Sequence, residues 1–169
     1  MAISAIFLMI FLLQHFIINI TSVFSEDIFN MLSHFMGTNF LVQFILQPIL
    51  IAGVLFHFIM GFYLEIQNRK AAKYEYQKEK GSANSTWMSR NMITSVLVIL
   101  AFLVLHFIDF WVPEMNHKYI EFLPEDPNRY FKHLVHKFEN PLRVAMYCLA
   151  FVLLALHLLH GFTLSLIHI

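Results

Sequence analysis

The sequence has one cysteine, Cys148, in 169 residues, so no intramolecular disulfide is available to it. Cys148 lies inside an apolar run, and a small buried packing residue is its expected role. Charge is scarce as well. Only 13% of residues are charged and they cancel to a net charge of zero, which excludes a basic nucleic-acid-binding surface. Against 59% hydrophobic residues, 19 phenylalanines and a mean hydropathy of +0.65, so little charge excludes a soluble domain of this size. There is no internal repeat or low-complexity segment, and no positively charged flank of the kind that opens a secretory signal peptide. What remains is the composition of an integral, all-α membrane protein.

Four apolar runs are long enough to cross a bilayer, for which roughly 20 residues suffice. They are expected at about residues 3–24, 45–65, 93–112 and 141–165 of a single transmembrane domain, residues 1–169. The first is read as a retained membrane helix. Pro48 is tolerable in the first turn of the second, where its missing amide would be unpaired anyway. Pro113 is expected to stop the third, and Pro141 to begin the fourth. Residues 25–44 are read as a loop with Glu26 and Asp27 and no lysine or arginine. Residues 66–92 carry Arg69, Lys70, Lys73, Lys78, Lys80 and Arg90 against two acidic residues, which marks a cytoplasmic loop and places the amino terminus on the same side. Residues 113–140 are mixed in charge and fall outside.

Ten histidines are the feature that packing does not explain. Each span holds at least one: His15, His57, His106, and His157 with His160. His57 is flanked four residues to either side by Gly53 and Gly61, so on a helix it sits on a strip without side chains. Such a strip admits a flat macrocycle, and the imidazole supplies an axial nitrogen for haem iron. Rise per residue places His15 and His106 roughly 9 to 14 Å from the outer ends of their spans, and His57 with His160 in the inner half. Two histidines at each of two depths is what two bis-histidine haems stacked across one bilayer require. The plainer alternative is a set of polar interhelical contacts worth about 1 kcal/mol each.

Other polar positions carry open alternatives. Asp109, three residues beyond His106, either accepts from that imidazole's second nitrogen or reaches the outer interface. Asn19 stands in the same relation to His15, or makes a helix contact. Arg143 and Arg90 suit haem propionates or ordinary snorkelling. His133 and His136 have the HxxH spacing of a metal pair, without cysteines or a third ligand nearby. His34 and His117 receive no role.

With FLLQHFIIN in the first span, FHFIMGFYLE followed by NRKA in the second, GSANSTWMSRNM leading to LVLHFIDFW in the third, and ALHLLHGF in the fourth, the sequence resembles a known family. It is that of the single-chain, two-haem cytochrome b558-type membrane subunit of succinate dehydrogenases and fumarate reductases. The resemblance runs from Met1 to Phe162. It implies haem axial ligation by His15, His57, His106 and His160, first helix paired with third and second with fourth. His160 is taken over His157 because Gly161 follows it. It further implies two haem b cofactors and a quinone substrate, with menaquinone the expected type. The implied partners are a flavoprotein and an iron–sulfur subunit, in a bacterial inner (cytoplasmic) membrane. The chain would not be an enzyme alone but would anchor a succinate:quinone oxidoreductase and carry its electrons to quinone. The family has a cytoplasmic segment before the first helix and a fifth helix after the fourth, which this sequence does not show. The tail TLSLIHI departs from the family, and His168 is left out of the site. The alternative from another class is a histidine-containing proton or metal-ion transporter, which would want acidic groups at the midplane, whereas the only candidates, Asp109 and Glu65, both lie near span ends.

Overall fold

A computed structural model describes residues 2–75 and 92–167, without the side chains of residues 2, 69, 71–75, 92–95, 160 and 163–167. Lys78, Lys80, Arg90 and His168 therefore lie outside the described residues, as do the side chains of Arg69, Lys73 and His160. The chain is all-α, with no strand among the described residues. It divides into two compact units, unit 1 formed by residues 1–79 and 127–132, and unit 2 by residues 80–126 and 133–169.

Four helical stretches are long and apolar enough to cross a membrane: Ile3–Val23, Val42–Asn68, Val96–Ile120 and Pro141–Leu159. Their large apolar side chains point outward, Ile3, Phe16, Leu55, Val104 and Leu149 among them, each more than half exposed. Water would not tolerate that surface, whereas lipid does, and the pattern is that of a multi-pass membrane protein.

In unit 1, α1 (Ala2–Ile20) ends in a 3₁₀ turn, Thr21–Val23. Residues expected to form a loop instead make α2 (Glu26–Thr38). Ser25 is extended and its hydroxyl accepts from the Ile28 amide at 3.3 Å, while Glu26 and Asp27 occupy the first turn, where the helix dipole favours anions. Asn39 both ends α2 and opens the next helical stretch, because its side-chain oxygen accepts from the amides of Leu41 (3.0 Å) and Val42 (3.3 Å). A π-helical turn, Val42–Leu46, leads into α3 (Gln47–Glu75). α3 runs past Glu65, its expected end, since no proline or glycine interrupts the good helix formers beyond it. α1 and α3 are antiparallel neighbours: the Phe7 ring lies on Gly53, and Ser4 stands beside His57.

In unit 2, α4 (Met92–His106) is followed by a π turn at Phe107–Trp111, the short α5 (Val112–Met115) and a second π turn at Asn116–Ile120. The helix therefore does not stop at Pro113. A proline inside a helix leaves the carbonyl four residues back without its amide. The π turn has already widened the winding, the Val112 amide reaching five residues back to the Phe107 carbonyl, and beside it the Asp109 carbonyl takes a hydrogen bond from outside the helix, from His133 Nε2 at 3.0 Å. Termination comes later, at Phe122, whose φ of 50° turns the chain, with the Leu123 amide bonding back to the His117 carbonyl at 3.0 Å. α6 (Arg129–Phe138) is a second helix within an expected loop. Its first turn, in unit 1, is capped from α2: Asn30, 3% exposed, accepts from the Phe131 amide at 2.8 Å. α7 (Pro141–Ile167) begins as expected at Pro141, with Asn140 accepting from the amides of Leu142 (2.9 Å) and Arg143 (3.3 Å). α4 and α7 pack antiparallel through Phe102, Tyr147 and Phe151, rings 5.0 to 5.8 Å apart.

Candidate functional site

The four expected ligands divide between the units, His15 and His57 in unit 1, His106 and His160 in unit 2. His57 is half-buried on α3, with Nδ1 3.2 Å from Ser4 Oγ on α1. A hydroxyl holding one ring nitrogen orients the imidazole and leaves Nε2 as the nitrogen for a metal. Beside it an open apolar groove of about 810 Å³ runs between Ile3, Ser4 and Phe7 of α1 and Ile49, Ala52, Gly53 and Phe56 of α3. The strip through Gly53 is not clear, however. A Cβ there would stand 2.9 Å from Phe7 Cε1, so at this level the missing side chain serves helix packing. His15 is half-buried and stacked on Phe11 one turn earlier, ring centroids 5.6 Å apart.

His106 closes α4 among aromatic rings, with centroids at 5.9 Å to Phe102, 5.3 Å to Phe110 and 6.3 Å to Tyr147 of α7. Imidazoles in apolar and aromatic surroundings, one with a hydroxyl at its second nitrogen, are a donor set suited to low-spin haem iron.

The antiparallel packing of each unit gives depth. Ser4 marks the level of His57 on α1, and His15 lies eleven residues further along, about 17 Å by helical rise. In unit 2 Tyr147 marks the level of His106 on α7. His157 lies ten residues beyond it and His160 thirteen, about 15 Å and about 20 Å. Each unit thus holds histidines at two levels with closely similar separation.

Asp109 takes neither of its expected roles. It is 1% exposed, so it does not reach the interface, and the contacts of its carboxylate run to α6 and α7. Tyr147 Oη donates to Oδ2 at 3.0 Å, Arg143 Nε stands 3.3 Å from the same oxygen, and Lys137 Nζ is 3.9 Å from Oδ1. The π turn at Phe107–Trp111 is the cause, since its wider winding moves Asp109 off the face it would share with His106 on a regular helix. Arg143 is accordingly engaged by Asp109. Asn19 also departs from both expectations, because its amide folds back on the His15 carbonyl at 2.8 Å. His133 and His136 separate, the first to the Asp109 carbonyl and the second to Glu139 Oε2 at 3.1 Å, and no group of three metal-ligating side chains occurs among the described residues. Cys148 is exposed, not buried.

Sequence reasoning passed over Ser4, Lys137 and Tyr147. The signal for Tyr147 was present: a carboxylate within an apolar span demands partners, and Arg143 and Tyr147 are four apart on one face of the neighbouring span. Comparison of the chain with family models, with curated proteins and with solved structures finds no match.

Proposed function

We infer that this chain is a two-haem cytochrome b of a bacterial cytoplasmic membrane, the anchor subunit of a succinate dehydrogenase or fumarate reductase. The observation that carries the reading is the matched separation of histidines along the two antiparallel helix pairs, about 17 Å in one and about 15 to 20 Å in the other. Separations of that size suit two cofactors at two depths within a hydrocarbon core roughly 30 Å thick. The resemblance would pair His15 with His106 at the outer haem and His57 with His160 at the inner; when bound, haem supplies reversible one-electron transfer. The chain's own residues provide the rest. The imidazoles give the nitrogens, Ser4 orients His57, the aromatic rings around His106 exclude water, and the apolar exterior keeps the site in lipid, where quinone dissolves. The basic segment after α3 would lie at the cytoplasmic face under an iron–sulfur partner, with the amino terminus on that side.

The resemblance in four separated stretches supports the same assignment. The transporter alternative gains nothing from Asp109, whose carboxylate is tied to Tyr147 and two cations. A reduced-minus-oxidised spectrum of the purified chain, with pyridine haemochrome quantification, tests the proposal. Two b-type haems per chain are expected, and haem content near zero overturns it. Orientation is tested separately in a Cys148→Ala background. A cysteine placed at Ser82 should resist a membrane-impermeant reagent in intact cells, whereas one at Asn128 should react.

A further inference from the structure

Ionisable groups inside a membrane span are expensive to bury, and unit 2 buries one beside a candidate ligand. Asp109, 1% exposed, is the hub of a group made by Tyr147, Arg143 and Lys137. Tyr147 joins this group to His106. Its hydroxyl is fixed on Asp109 Oδ2 while its ring, 3% exposed, lies against the imidazole and against Phe102 and Phe110. A charge in a low-dielectric interior acts over many ångströms, so the carboxylate and its cations are within electrostatic reach of a cofactor on His106.

We propose that Asp109, Arg143 and Tyr147 are positioning and tuning residues of the outer haem, Tyr147 holding the His106 ring and the Asp109–Arg143 pair setting the local charge. The inference rests on the two-haem reading. Its direction follows from electrostatics. A buried negative charge stabilises ferric iron and lowers the reduction potential, and a neighbouring cation opposes it. Asp109→Asn should therefore raise the outer haem's potential, and Arg143→Gln should lower it. Tyr147→Phe leaves charge and ring in place but releases the ring from Asp109, so it should change the outer haem's low-spin electron-paramagnetic-resonance signal with a smaller change in potential. The inner haem should be unaffected in all three.

The experiment is a redox titration with spectroscopy on the chain purified from membranes together with whatever subunits accompany it. A wild-type preparation without haem defeats the two-haem reading. Two haems whose potentials stay put in Asp109→Asn and Arg143→Gln, or move in the same direction, or move together at both sites, overturn this inference alone. Should Asp109→Asn fail to retain the outer haem, Asp109→Glu, which keeps the charge, should restore it. Failure of that rescue, with an unchanged outer signal in Tyr147→Phe, also counts against the proposal.

Discussion

In unit 1, α1 and α3 meet through a ring on a glycine and a hydroxyl on an imidazole, Phe7 on Gly53 and Ser4 on His57. In unit 2, α4 and α7 meet through a buried carboxylate with a phenol and a guanidinium, surrounded by aromatic rings. Both are antiparallel pairs carrying histidines at two levels, yet one is held by close approach and the other by charge. Close packing tolerates the loss of one contact because the helices can settle. A buried carboxylate does not, since removing it leaves the phenol buried with it without an acceptor.

The largest effect expected is loss of a cofactor. His57→Ala and His160→Ala should each abolish the inner haem signal, and His15→Ala and His106→Ala the outer one. Optical and paramagnetic resonance spectra of the four variants check this. Joint loss of one signal in His57→Ala and His106→Ala would show the pairing to be wrong, and loss of the inner signal in His157→Ala but not in His160→Ala would move the ligand by one turn.

Next in size is the buried carboxylate. Asp109→Leu should cost unit 2 roughly 1 to 3 kcal/mol, chiefly by leaving the buried Tyr147 hydroxyl without its acceptor, whereas the double variant Asp109→Leu with Tyr147→Phe should recover part of it, because Arg143 and Lys137 are partly exposed. Thermal denaturation in detergent reads the difference. Equal melting temperatures for the single and double variants would remove the contrast between the units.

In unit 1, Gly53→Leu should cost about 1 to 3 kcal/mol by driving Phe7 off the helix, and Phe7→Ala in the same chain should return part of that. The same melting experiment decides, and additive effects would mean that the two residues do not share their space. The smallest changes belong to single hydrogen bonds. Ser4→Ala, and Asn140→Ala at the cap of α7, should each lower stability by about 1 kcal/mol. A Ser4→Ala loss as large as that of Asp109→Leu would show that unit 1 also depends on a polar contact.

The four spans were legible in the amino-acid order, because apolar runs of this length leave the backbone no solution in lipid other than the helix. That each span holds a histidine was legible too, and rise per residue turns its position in the run into an expected height. Even the start at Pro141 follows from local chemistry. Other features did not follow from it. Hydropathy gives no warning that the helix passes Pro113, because the π turn there, and the bond to the Asp109 carbonyl from His133 twenty residues on, are made only by the folded chain. Nor does spacing reveal that Asp109 turns from His106 toward Tyr147 and Arg143, since a π turn rotates everything beyond it by an amount no periodicity records. The gap at Gly53 looked like room for a cofactor, and only packing placed the Phe7 ring there. Local sequence determines which segments are apolar enough to span a membrane; where the helices between them form, and which face meets which neighbour, was decided by tertiary structure, because those depend on groups brought from elsewhere in the chain.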